Sequence, residues 1–277
     1  MSSLQSRKRA PRSKTERVLR PVRPNIGIEA AYRKRLDSLV EAMHRSVVFF
    51  IKASYRKNEP RIAQDETPAD ALRRSTRELS SQWLKKFDEA AENLAAYFAQ
   101  SVEKRSSAAL RNILRDSGLT VEFKMTPIMR DVVDATVHAN VSLIRSLPAK
   151  YFLEIEGIVM RSVQTGRDLG QLADDLQQRL GVTKRRAALI ARDQNNKATA
   201  AFNRVRLQEV GIDEAEWRHS SAGREPRKTH VQAGREKVRF SVKDGWFDPD
   251  PKVRRLIQPG ELINCRCVGR PVVKGFS

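Results

Sequence analysis

From Ile28 to Val210 the apolar residues of this chain recur every three or four positions, and after Gly211 they no longer do. That change of period constrains the fold more than any composition figure. A spacing near 3.6 keeps a helix face apolar, whereas a spacing of two serves strands. The first run is carried by Ile28, Tyr32, Leu36, Leu39, Met43, Val47 and Phe50, with Arg33, Asp37, Glu41 and Arg45 opposite, and predicts one amphipathic helix to about Lys57. A polar connection holding Pro60 and Pro68 leads to a second long run, about Ala69 to Asp116, with Gly118 suited to the left-handed position beyond its end. The two helices are expected to lie antiparallel, with Ser106-Ser107 as a bend in the second. Leu119 to Met125 reads as a short strand or extended loop.

Thr126-Pro127 then has the residue types of an N-cap and first turn, and the helix it opens is expected to reach about Ser146. Pro148 is expected to start a new helix that ends before Gly166. A shorter helix, Asp168 to Leu180, closes at Gly181, and Thr183 caps a last one, Lys184 to Val210. Polar residues crowd the middle of that last helix, from Arg192 to Lys197 and again at Asn203. They suggest a contact with the C-terminal module, a cleft lining or an exposed face. Beyond Gly211, Glu214–His219, Glu236–Val242 and Leu262–Val273 read as short strands between Gly and Pro turns. The expected fold class is mainly α: a long-helix bundle followed by a small α+β C-terminal module. The expected divisions are a flexible basic arm (1–24), a helical region (25–211) and the module (212–277).

Charge is unevenly spread. The net charge is +20, and residues 1–24 hold eight Lys or Arg against a single Glu, while residues 181–277 hold twenty-one against eleven acidic groups. Such a field suits nucleic acid or an acidic protein face. The expected contact residues are Arg7, Lys8, Arg9, Arg12, Lys14 and Arg17 in the arm and Arg254 and Arg255 in the module. No apolar run of eighteen residues occurs, so no membrane span is expected. The basic N-terminus lacks the apolar stretch of a secretory signal. Two cysteines do not make a disulfide framework, and a reducing cytoplasm is the natural compartment.

The chemistry that remains is concentrated between Trp217 and Cys267. If Ile263–Val268 is extended, Cys265 and Cys267 share a face. They read first as small buried apolar residues. The second reading is a zinc site with His230 as third ligand and His219 as the nearby candidate for a fourth. Lone His44 and His138 read as structural. No phosphate-binding Gly-rich loop, Gly-x-Ser-x-Gly or His-Glu-x-x-His is present. The zinc-deaminase pattern lacks its acidic partner. Asp244, Asp248 and Asp250 are close in sequence, but Pro249 and Pro251 make them a rigid loop rather than a nuclease cluster.

The run from Ala188 to Gln194, then Asn203, Gly211-Ile212, Trp217, Arg227-x-x-His230 and Asn264-Cys265-Arg266-Cys267 resembles the phage Mu F-like head-morphogenesis family of tailed bacteriophages. The resemblance covers about residues 165 to 272. This chain has Asp193-Gln194 where many members have Thr-Glu, and Arg227 and His230 where many have a Cys-x-x-Cys pair. The resemblance implies a minor head protein, a structural component of the virion at the capsid interior or portal vertex, present in the host cytoplasm during assembly. It implies portal and capsid or scaffold proteins as partners and a role in DNA packaging or ejection, with no catalytic residues. Within it, Trp217, Arg227, Asn264 and Arg266 are the module's motif residues, and Trp217 is expected to anchor the module against the last helix. Other readings of the same residues are a metal-dependent nuclease or toxin-like effector enzyme using the His230/Cys265/Cys267 cluster, and a non-specific DNA-binding protein.

Overall fold

The computed structural model describes residues 16–57, 67–164, 169–221 and 225–275. Its elements in chain order are β1 (Glu16–Val18), α1 (Ile26–Lys57), α2 (Pro68–Arg115), α3 (Pro127–Gln164), α4 (Leu169–Glu209), β2 (Glu214–Arg218), α5 (Lys228–Glu236), β3 (Arg239–Ser241), β4 (Trp246–Asp248), β5 (Arg255–Ile257) and β6 (Val268–Lys274). The mainly helical class with a small C-terminal sheet module is observed.

The chain forms two compact units. One is helical and comprises, of the described residues, 24–57, 67–106, 124–164 and 169–202. Three of its helices, α1, α2 and α3, begin at side-chain caps. Asn25 Oδ1 accepts the Ile28 N–H at 3.0 Å, Thr67 Oγ1 accepts that of Asp70 at 3.1 Å, and Thr126 Oγ1 accepts that of Met129 at 3.2 Å. Each cap satisfies an amide that the first helical turn leaves orphaned. α1 and α2 run antiparallel. Tyr32, near the start of α1, stacks on Phe98 of α2 at 4.3 Å, while Ser54 near its end hydrogen-bonds Ser75 near the start of α2 at 3.3 Å.

Two expected helix breaks are absent. Pro148 lies inside α3, and Gly181 and Thr183 lie inside α4, with the Thr183 hydroxyl donating back to the Arg179 carbonyl at 3.0 Å. A mid-helix Pro costs about 3 kcal/mol and a Gly about 1 kcal/mol relative to Ala. Burial on either side outweighs both, since each fully buried large apolar side chain contributes about 1.5–3 kcal/mol. Ile144, Leu147, Tyr151 and Ile155 flank Pro148, and Leu176, Ala187 and Ile190 flank Gly181, all buried. Much of the polar middle of α4 is also buried, and Gln194 and Asn195 bond to α3 and to the cap residue of α1. Gln194 Oε1 accepts from Asn140 of α3 at 3.2 Å, Asn140 Oδ1 accepts from the Tyr32 hydroxyl at 3.0 Å, and Asn195 donates to the Asn25 carbonyl at 3.0 Å. The exposed-face reading of that row is corrected.

The second unit gathers, of the described residues, 16–23, 107–123, 203–221 and 225–275. Its four-stranded antiparallel sheet has the order β1-β6-β2-β3, and β4 and β5 form a separate two-stranded pair. Glu16, Arg17 and Val18 pair with Lys274, Val273 and Val272, and Glu214–Arg218 pair with Val272–Val268. Residues 16–23 are therefore not part of a flexible arm. Alternation over so few residues is no signal by itself, but Leu19 and Val22 are buried in the core and the Leu19 amide donates to the Pro271 carbonyl at 2.8 Å. The rest of the expected arm, with Arg7, Lys8, Arg9, Arg12 and Lys14, lies outside the described residues. The core of this unit joins Leu19, Leu110, Leu114, Leu207, Ile212, Trp217, Phe240, Val242, Ile257, Cys265 and Cys267. It draws on more chain than residues 212–277, because so few residues in short strands enclose little volume alone. Residues 119–125 form neither helix nor strand, and 236–238 close a helix rather than begin a strand.

Candidate functional site

Four pieces of chain converge inside the second unit. β2 supplies Trp217, α5 supplies His230, β4 supplies Asp248, and the turn before β6 supplies both cysteines. α5 went unforeseen in the sequence because it is short and its N-cap residue, Arg227, makes no side-chain cap. It buries only His230 and Ala233, one turn apart, and apart from Val231 and Gly234 the rest of the helix is polar. Its closeness to the sheet depends on Gly234. A Cβ there would stand 2.5 Å from the His219 Cβ and 2.9 Å from its backbone nitrogen, so no side chain fits. Lys237 ends the helix in the left-handed conformation, with φ of 52°.

The cysteines do not share a strand face. β6 begins only at Val268. A turn precedes it, with Asn264 at φ of 61° and the Cys265 amide donating to the Leu262 carbonyl at 2.9 Å. Asn is one of the few residues that tolerate this conformation. Arg227 ties the turn to the start of α5 by donating to the Ile263 carbonyl at 3.2 Å. The outcome is that both sulfurs face one imidazole nitrogen. His230 Nδ1 is 3.5 Å from Cys265 Sγ and 3.7 Å from Cys267 Sγ.

On the other side of the ring, His230 Nε2 meets Asp248 Oδ2 at 3.1 Å. A carboxylate only accepts, so Nε2 carries the proton and the lone pair of a neutral ring is directed from Nδ1 toward the sulfurs. Asp248 is fully buried, and its second oxygen accepts the Asp250 amide at 3.0 Å, which fixes its orientation. Sequence reasoning missed this role for Asp248, having read it with Asp244 and Asp250 as a loop of carboxylates. No spacing in the sequence links it to His230, because the contact depends on the fold of the β4–β5 hairpin. Gly245, at φ of 96°, lets that hairpin close where a Cβ would strike the Ile257 carbonyl oxygen at 2.5 Å.

Aromatic rings wall the cluster. Trp217 is 1% exposed and sits 5.1 Å from the His230 ring, 5.1 Å from Trp246 and 5.9 Å from Phe240, all in tilted or edge-on geometry. Its burial matches expectation. Its aromatic partners come from α5, β3 and β4 rather than from a long helix, although Leu207 of α4 shares its core. The thiols polarise each other. Hydrogen bonding from Cys267 is the main influence that holds the Cys265 thiol well below its ordinary range, against the cost of burial. The same hydrogen bond, with burial beside a negative neighbour, pushes Cys267 far above it. Among the described residues His230, Cys265 and Cys267 form a potential ligand group whose donor atoms all lie within 4.8 Å of one another. His219 stands outside it. Its Nδ1 accepts the Ser221 amide at 3.2 Å, and burial lowers its pKa.

The remaining motif residues lie at the surface. Asn264 is exposed, Arg266 is half-buried, and Arg17 and Arg254 are exposed. Arg255 is exposed as well but pairs with Glu261 at 2.6 Å, so part of its charge is already answered.

Residues 154–270 match the family model described as Phage Mu protein F like protein. The match supports the phage Mu F-like family, a family of structural bacteriophage proteins associated with head morphogenesis, over the part of the chain that carries the cluster. The chain is also similar to a protein of Haemophilus influenzae (strain Rd) described only as uncharacterized, with 26% identity over 265 residues. That alignment takes in 93% of this chain and 56% of the relative, so the chain spans little more than half of the relative's length. No solved structure matches the chain. No described helix is long and apolar enough to cross a membrane.

Proposed function

We propose that this chain is a phage minor head protein, an assembly component of the virion that contacts the portal and the capsid interior and supports DNA packaging or ejection. The family match over residues 154–270 is the single observation that carries the reading. The structure adds compatible features. The side chains that could do chemistry are closed inside a core, which suits a folding role better than turnover. The surface is strongly basic, with a net charge of +20 over the chain. That charge suits non-specific contact with packaged DNA or an acidic protein face.

The test is co-expression of the tagged chain with the portal and major capsid proteins of its own phage. The expected result is that it sediments with procapsids and that omission of the portal releases it. A chain that stays at the top of the gradient under both conditions contradicts the proposal. For the DNA contact, replacement of Arg7, Lys8, Arg9, Arg12 and Lys14 by Gln is expected to flatten the fall of log affinity with log salt. An unchanged slope would remove those residues from the interface.

A further inference from the structure

We propose that His230 Nδ1, Cys265 Sγ and Cys267 Sγ form a structural zinc site, with Asp248 as the positioning group behind His230. The inference stands independently of the head-protein reading. It rests on four observations about the cluster. The donor set is two thiols and an imidazole, the soft-to-borderline chemistry that favours zinc over magnesium or calcium. The Sγ–Nδ1 separations are 3.5 and 3.7 Å. Tetrahedral zinc, with bonds of about 2.3 Å to sulfur and about 2.0–2.1 Å to nitrogen, sets its S and N ligands about 3.6 Å apart. The tautomer is the one a ligand needs, because the proton sits on Nε2 and faces Asp248. The three ligands come from two separate segments and Asp248 from a third, so a bound ion would tie α5, the β4–β5 hairpin and the start of β6 together.

The same atoms also spell another arrangement, a cysteine nucleophile with a histidine base and an orienting carboxylate. Two features weigh against it. Both thiols face the same nitrogen, whereas a nucleophile needs only one. Cys265, Cys267, His230 and Asp248 are 4%, 4%, 2% and 0% exposed, which leaves a substrate no approach. Three protein ligands leave the fourth tetrahedral position to a donor as small as water, which needs no substrate-sized approach.

The test uses the full chain. Protein purified from zinc-containing medium is expected to hold about one zinc per chain. After chelation, titration with Co(II) alone is expected to give thiolate-to-metal charge-transfer absorption and the visible bands of a tetrahedral ion, both erased by added zinc. Cys265→Ser should lose the charge-transfer intensity. If that variant does not fold, the wild-type Co(II) spectrum and Asp248→Asn carry the test. Asp248→Asn should keep the bands but weaken Co(II) binding about 10–100-fold. A folded, metal-free chain that gives no charge-transfer band in excess Co(II) overturns the proposal. So does stoichiometric alkylation of Cys265 in the folded, zinc-saturated chain, since a zinc-bound buried thiolate is shielded.

Discussion

The two units are held together in different ways. In the helical unit each helix contributes a repeating apolar face, and loss of one residue leaves many equivalent neighbours. Tyr32, Leu36, Val40, Met43, Val47 and Ile51 line a single buried stripe on α1. In the sheet unit, strands of three to seven residues arrive from both ends of the chain. They close around one aromatic ring and one imidazole. The lesson is that redundancy and connectivity trade places. The helical unit spreads its stability over length, and the sheet unit concentrates it in a few residues that no repeat backs up.

The largest expected effect follows from that concentration. Trp217→Ala should cost about 3–5 kcal/mol, and hydrogen exchange should show β2, β3 and β6 losing protection while α1 keeps its own. Equal loss in both units would break the comparison. Gly234→Ala is the next test, because the clash with His219 involves backbone. A cost of about 1–3 kcal/mol is expected, read from chemical denaturation. A neutral result would mean that α5 shifts freely.

Asn140→Ala probes the helical unit. It removes the amide between the Tyr32 hydroxyl and Gln194 and leaves both buried groups short of a partner. A cost of about 1–3 kcal/mol is expected. Asn140→Leu should recover none of it while Tyr32 is present, which a double-mutant cycle with Tyr32→Phe can show.

How much of this was legible in the sequence depended on the same contrast. Periodicity placed α1 and α2 nearly to the residue, since the signal repeats over many turns. It broke α3 and α4 too early, at Pro148 and Gly181, because local propensity was weighed without the flanking burial that overrides it. In the sheet unit, Trp217, His230 and the two cysteines stood out by residue type. Asp248 did not, and neither did β1, because their partners are distant in sequence: Asp248 meets His230 and Glu16 pairs with Lys274.

The smallest expected effect concerns pH. Burial holds His44 below its ordinary pKa, with hydrogen bonding to Gln177 opposing, and its Nδ1 lies 2.9 Å from the Tyr151 hydroxyl. The unfolded chain then takes up the proton more readily than the folded one. Its contribution is full above the ordinary histidine value of about 6.5 and is lost as pH falls below it toward the depressed folded value. The melting temperature should drop on mild acidification, and less so in His44→Gln. Equal drops would remove His44 from the account.

The central claim is that the sheet unit is closed by the His230, Cys265 and Cys267 cluster and that the helical unit is not. Native-state hydrogen exchange of the full chain, with and without a strong zinc chelator, tests it most directly. The account predicts that chelation lowers protection in β2, α5 and β6 and leaves α1 and the 127–164 helix unchanged. Unchanged protection in β2 and β6, or a uniform loss across both units, would contradict it.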